Sequence, residues 1–233
     1  MRNVKKEKQS IAAVIFDMDG VLADSETLWN DIDGTLLADY GIAYKGEYKH
    51  EVLGKGFALA LQFYKDAFAL DAEIATMAVR RTSIATDYYA NRIPMFPAAP
   101  EVLAQLKRSG LKIGLASSSV GALVLPFLER CDLLSYFDAI VTGEQVQHGK
   151  PNPDIYLKAA SNLGVEPAKC LVVEDALSGI QAGLSAGMTV VAIPDPRFMD
   201  VTLYPDFANF VIGDLSELPG LVQDRFDIEN FIS

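Results

Sequence analysis

Near its start the chain reads Ile11-Ala12-Ala13-Val14-Ile15-Phe16-Asp17-Met18-Asp19-Gly20-Val21. Six apolar residues end abruptly in two acids and a glycine. A strand that is apolar on both faces belongs inside a parallel sheet covered by helices on each side. Similar short runs recur at Leu111–Ala116, Ala139–Val141, Cys170–Val173 and Val190–Ile193, with a weaker sixth at Phe210–Ile212. Helical patterns separate them at Ala99–Ser109, Val120–Glu129, Asp154–Leu163 and Leu177–Ala186. Strand alternating with helix predicts the α/β class, with a doubly wound parallel sheet and right-handed crossovers.

One interval breaks the rhythm. Between Phe16 and Leu111 the patterns Thr27–Tyr40, Phe57–Ala69 and Ala72–Ala90 carry apolar residues at helical spacing, with no β-rich run. Ile93-Pro94-Met95-Phe96-Pro97 closes the interval with two prolines, which resist both helix and central strand. The expected organisation is a catalytic core formed by residues 1–24 and 93–233 and a helical cap over residues 25–92, with hinges near Asp24–Glu26 and Ile93–Pro97.

Composition narrows the function classes. The chain has 233 residues, half of them hydrophobic, enough for a substantial core. Its net charge of −11 disfavours nucleic acid and anionic membranes as partners, because both require a basic patch facing phosphates. Cys131 and Cys170 are far apart and lack zinc-ligand spacing, which fits a reducing cytoplasm. No apolar run reads as a signal peptide or a membrane span. The expected assembly is a monomer or weak homodimer, and the expected partner, on the strand-end residues described next, is a small phosphorylated substrate.

Ligands of open α/β sheets gather where the strands end. Asp17 and Asp19 follow the first strand, Ser117, Ser118 and Ser119 the second, and Glu174 and Asp175 the fourth; past a short loop after the third comes Gly149-Lys150-Pro151-Asn152-Pro153-Asp154. Several carboxylates crowded together repel one another unless a hard divalent cation neutralises them, and Mg²⁺ takes oxygen ligands while keeping waters and a substrate phosphate. Ser117 is expected to cap the next helix, whose free N–H groups favour a phosphate. Lys150 adds a point charge that can hold a phosphoryl oxygen and the nucleophile together. The set points to phosphoryl transfer through an aspartyl-phosphate.

In order and spacing, Asp17-Met-Asp-Gly-Val21, Ser117, Lys150 and Glu174-Asp175 resemble the four motifs of the haloacid dehalogenase superfamily, over about Ile11 to Ile212. Leu115-Ala-Ser-Ser-Ser119, Gly149-Lys-Pro-Asn-Pro-Asp154 and Glu174-Asp-Ala-Leu-Ser-Gly-Ile180 resemble its branch of β-phosphoglucomutase and small sugar-phosphate phosphatases. The resemblance implies a Rossmann-like core with a helical cap. It further implies Asp17 as nucleophile and metal ligand, Asp19 as general acid/base with its backbone carbonyl on the metal, and Ser117 and Lys150 on the phosphoryl group. Asp175 would be the remaining metal ligand, with Glu174 acting directly or through water. Asp19 is an acid the family's dehalogenases lack. Where β-phosphoglucomutase has a histidine, this chain has Trp29, and Asp24-Ser25-Glu26-Thr27-Leu28-Trp29 resembles phosphatases of the 2-deoxyglucose-6-phosphate type. A phosphatase is therefore expected, ahead of a phosphosugar mutase, a catalytically silent binding module or a phospho-receiver switch.

Other residues read less sharply. Lys55, within Gly54-Lys55-Gly56, reads either as a substrate contact or as part of a surface loop, and Trp29 as pocket wall or cap packing. Ser118 is assigned to phosphate binding. Tyr88, Tyr89 and the Phe57/Leu61/Tyr64 stripe read as helix core. Asp31-Ile32-Asp33-Gly34-Thr35 repeats the nucleophile pattern on letters alone, but no strand precedes it, and it reads as a polar helix face.

Overall fold

A computed structural model describes residues 8–48, 51 and 57–229. Six parallel strands form the main sheet in the order β4-β3-β2-β5-β6-β7: β2 is Ala13–Phe16, β3 Lys112–Ala116, β4 Ala139–Val141, β5 Cys170–Glu174, β6 Thr189–Ala192 and β7 Phe210–Val211. The pleat explains why these strands are apolar throughout. Val14, Phe16, Leu171 and Val173 join one buried cluster, while Ala13, Ile15, Cys170 and Val172 join the other, on the opposite face of the sheet. The Rossmann-like α/β arrangement is the one expected.

The predicted first strand is divided. Gln9–Ile11 (β1) pairs with Phe226–Ile228 (β8) in a separate two-stranded sheet, and only Ala13–Phe16 enters the main one. At Ala12 the chain changes partners: its N–H donates to the Lys169 carbonyl and its carbonyl accepts from Lys112 N–H. Only Ile11 of the expected run belongs to β1, whose other residues, Gln9 and Ser10, are polar, so the apolar run does not mark the division.

Helices α1 (Trp29–Ala38), α2 (Phe57–Ala67) and α3 (Ile74–Asn91) lie between β2 and the core helix α4 (Ala99–Arg108). No strand of either sheet interrupts this helical insert among the described residues. Helix α5 (Gly121–Arg130) packs against α3. The remaining helices are α6 (Asp154–Leu163), α7 (Leu177–Ser185) and α8 (Leu218–Arg225). Among the described residues no helix is long and apolar enough to cross a membrane.

The second D-x-D-G-T pattern proves to be structural, and half of it faces inward. Asp31 is exposed, but Asp33 is buried within the insert. Its carboxylate accepts from Arg81 Nε at 2.6 Å and from the Tyr64 hydroxyl at 2.6 Å. Arg81 also lies over the Trp29 ring, 4.6 Å from its centroid. Removing one member of such a pair leaves the other charge buried and uncompensated. Asp33→Ala should therefore destabilise the fold by about 3–5 kcal/mol in urea unfolding, whereas Asp31→Ala should stay within about 0.5 kcal/mol of wild type.

Candidate active site

Parallel register brings the acids together. Phe16 pairs with Leu115 on one side and Val173 on the other, so the next residue, Asp17, leaves the sheet beside Glu174. Carboxylate oxygens of Asp17, Glu174 and Asp175 lie within 4.8 Å of one another, all three residues buried. Gly20 permits the turn that follows Asp17: its φ is +80°, and a Cβ there would stand 2.0 Å from Asp175 Oδ2. Gly179 is required for space, since its Cβ would overlap the Glu174 carboxylate.

Lys150 reaches this cluster from the loop before α6. Its ammonium donates to Asp17 Oδ1 at 2.7 Å and to Glu174 Oε1 at 2.5 Å. Burial alone would lower its pKa, but the two carboxylates outweigh it and the pKa rises, so Lys150 stays charged. Burial pushes Asp17 up to about 7; Lys150 opposes the rise, while Glu174 and Asp19 add to it. Asp175 is raised by burial and then by Glu174 and Asp17. Three buried carboxylates with one ammonium leave an excess of negative charge, and oxygen donors of this kind fit a hard divalent cation.

Glu174 is saturated with donors. Oε1 accepts from Lys150 and from the Tyr156 hydroxyl at 2.7 Å, and Oε2 accepts from the backbone N–H groups of Asp175 and Ala176 at 3.1 Å each. Tyr156 was not singled out from sequence. Its ring also lies beneath Lys150, whose Nζ is 5.0 Å from the ring centroid. Its place early in α6, just past the Lys150 loop, was the available signal.

The Asp19 carboxylate turns to a different set of partners. Oδ1 accepts from Ser25 Oγ at 2.7 Å and from the Tyr89 hydroxyl at 2.5 Å, and Oδ2 accepts from Ser119 Oγ at 2.8 Å. Tyr89 is thus more than helix core: it carries the end of α3 to a residue of the motif. Burial and then the Asp19 charge hold its pKa well above the usual phenol value, so it remains a donor.

Ser117 is buried at the end of β3, but it does not cap α5. That helix starts at Gly121 after Val120 and has no side-chain cap, because a four-residue turn intervenes. Ser117 Oγ instead accepts the Ser119 N–H at 3.0 Å, which shapes the turn, while Glu144 takes the Gly121 N–H. Ser118 is exposed on the same turn. Trp29 is half-buried, stacked by Arg81 and set edge-on to Tyr89 with centroids 6.1 Å apart. His148 pairs with Asp154 beside the Lys150 loop. Lys55 and His50 lie outside the described residues.

Comparison with known proteins gives a consistent result. The family described as haloacid dehalogenase-like hydrolase matches residues 14–193. Hexitol phosphatase B of Escherichia coli K12 is 32% identical over 219 residues, covering 90% of this chain and 95% of that protein. A phosphorylated carbohydrates phosphatase of Thermotoga maritima is 34% identical over 176 residues, 76% of this chain and 82% of the other. Among solved structures, a β-phosphoglucomutase from Clostridium difficile superposes with a TM-score of 0.75 at 26% identity, covering 92% of this chain and 96% of that one.

The Asp17 carboxyl binds its proton more tightly in the fold than the usual Asp range allows. Below about pH 4 it is protonated in both states. As pH rises towards about 7, ionisation costs the metal-free fold stability, and that cost is then fully present. A cation that binds the ionised site offsets it. Added Mg²⁺ should therefore raise the thermal midpoint more at pH 8 than at pH 5; equal increments, measured by calorimetry, would contradict the assignment of the cluster.

Proposed function

The chain belongs to the haloacid dehalogenase-like hydrolase family and is a phosphoric monoester hydrolase, and from that premise we propose that it is a Mg²⁺-dependent phosphatase of small sugar phosphates acting through an aspartyl-phosphate. The observation that carries this reading is the Lys150 ammonium seated between Asp17 and Glu174, with Asp175 beside them and Asp19 held separately by three hydroxyls.

Asp17 attacks phosphorus in line, forming a bond to it as the bond to the leaving oxygen breaks. Asp19 gives that oxygen a proton. The same carboxylate then takes a proton from a water that attacks the aspartyl-phosphate, releasing phosphate and regenerating Asp17. Lys150 neutralises the transferring group and is itself fixed by Glu174 and Tyr156, so little rearrangement is needed as charge develops. Ser117 and Ser118 at the end of β3 receive phosphoryl oxygens. Asp17, the Asp19 backbone carbonyl and Asp175 would hold Mg²⁺, with Glu174, whose oxygens are taken by donors, acting through water; when bound, the ion supplies positive charge to the ionised nucleophile and the phosphoryl oxygens. The helical insert, residues 25–92, acts as a cap that excludes bulk water and selects the leaving group.

The match to a β-phosphoglucomutase favours one second reading, in which the phosphoryl group returns to a sugar rather than to water. Trp29 argues against it. An indole does not titrate in the working range, so at this position it offers packing rather than proton transfer. With Arg81 behind it and Tyr89 at its edge, its half-buried ring suits a wall for the leaving sugar.

The test is phosphate release from a panel of phosphorylated sugars, polyols, nucleotides and small acids, with and without Mg²⁺. Hydrolysis of sugar or polyol phosphates should be fastest and should be lost in EDTA. Asp17→Asn should lower kcat by about 10⁴-fold or more, since the covalent route is removed. Wild-type turnover in that variant, or a hexose 1-phosphate converted to its 6-phosphate without release of phosphate, would overturn the phosphatase assignment.

A further inference from the structure

Two chain segments connect the core with the helical insert, and they are zipped together. Asp24 N–H donates to the Pro94 carbonyl at 2.9 Å, Phe96 N–H to the Leu22 carbonyl at 2.9 Å, and Ala23 and Met95 form an antiparallel bridge. The core grips each segment with one arginine. Arg130, at the end of α5, donates to the backbone carbonyls of Tyr89 and Ile93 on the returning segment. Arg197, in the loop after β6, takes the outgoing segment by a side chain: Nη1 donates to Asp24 Oδ2 at 3.1 Å and Nη2 to Asp24 Oδ1 at 2.9 Å.

The guanidinium is set up for this grip by its own loop. Asp195 accepts the Arg197 backbone N–H at 2.8 Å and also accepts from Nε and Nη2, so Nη2 is shared between Asp195 and Asp24 while Nη1 is given to Asp24. Bidentate pairing fixes orientation as well as distance. The residue after Asp24 is Ser25, which is fully buried and donates to the Asp19 carboxylate. The core loop after β6 is thereby tied to Asp19 through two consecutive residues of the connection.

The pair is also built to open. Arg197 is 46% exposed and Asp24 20%, against 7% and 3% for Arg81 and Asp33 inside the insert. Water and salt reach the first pair and not the second. A cleft of about 340 Å³, lined by Gly20, Asp24, Phe96, Pro194, Arg197 and Leu215 among others, lies alongside the pair.

We propose that Arg197 is a positioning residue: by clamping Asp24 it sets the angle of the helical insert and holds Ser25 against Asp19, so that release of the clamp and repositioning of the acid/base occur together. The part concerning Asp19 rests on the function proposed above; the part concerning the angle of the insert does not.

Two measurements separate the parts. Spin labels at Val79→Cys on α3 and Leu184→Cys on α7, both exposed positions, report the distance from insert to core after Cys131→Ser and Cys170→Ala. The otherwise unchanged protein should give one narrow distance. Arg197→Gln and Asp24→Asn should each broaden or shift it, with no further change when they are combined, and Arg197→Lys should restore part of the wild-type distribution. In steady-state assays with the best sugar phosphate, Arg197→Gln should lower kcat by about tenfold and displace the pH–rate profile, with KM changed less, as expected when a reacting group is misplaced. Unchanged distances in both single variants, or effects that add in the double variant, overturn the clamp. Altered distances with wild-type kcat and pH profile overturn its link to Asp19. If the unmodified protein hydrolyses no phosphate ester, the function proposed above fails, and the distances alone decide the clamp.

Discussion

A single buried ammonium makes the rest of this site possible. Asp17, Glu174 and Asp175 are forced together by strand register and covered by apolar layers on both faces of the sheet. Unpaired, they would either take up protons or drive the strand ends apart. Lys150 opposes both by bonding to two of them, although burial still holds Asp17 and Asp175 above the usual carboxylate range, and its own position follows from Glu174 and the Tyr156 ring. One positive charge answers several negative ones, and the remaining negative excess is of the kind a hard divalent cation offsets.

The nucleophile and the acid/base candidate answer to different parts of the molecule. Asp17 is gripped by elements of the core. Asp19, two residues on, is gripped by the outgoing connection, the turn after β3 and a tyrosine at the far end of the insert. A hydrogen-bonded carboxylate shared among three segments reports their relative placement, because loss of any donor leaves a part-buried acceptor less well satisfied. The placement of the insert therefore bears on Asp19 directly, whereas the Asp17–Lys150 pair is made within the core.

Much of this could be read in the order of residues. Short apolar runs predicted the parallel sheet, and acids, hydroxyls and a lysine at four strand ends predicted the rim. Where the reading erred, a local pattern had two physical outcomes. Ile11–Phe16 looks like one strand, yet at Ala12 the chain changes sheets, because Ile11 pairs with the distant Phe226–Ile228 strand while Ala13–Phe16 pair within the main sheet. Asp33 looks like a solvated helix position, yet Arg81 and Tyr64, from two other helices, give it a buried partner set. Tyr89 has the spacing of core and the burial of core, and only its hydroxyl distinguishes it. Ser117 sits where a cap would be expected, but the turn is too long for it to reach the helix start.

The alternation of elements and the identity of the groups at their ends are legible along the chain, because periodicity and chemical type are properties of neighbouring residues. Which donor meets which carboxylate is settled by packing. Tyr156 on Glu174, Tyr89 on Asp19 and Arg197 on Asp24 are contacts between segments far apart in the chain, made by packing angles and loop paths. A hydrogen bond depends on distances of a few tenths of an ångström, and no pattern of residue types along the chain carries that information.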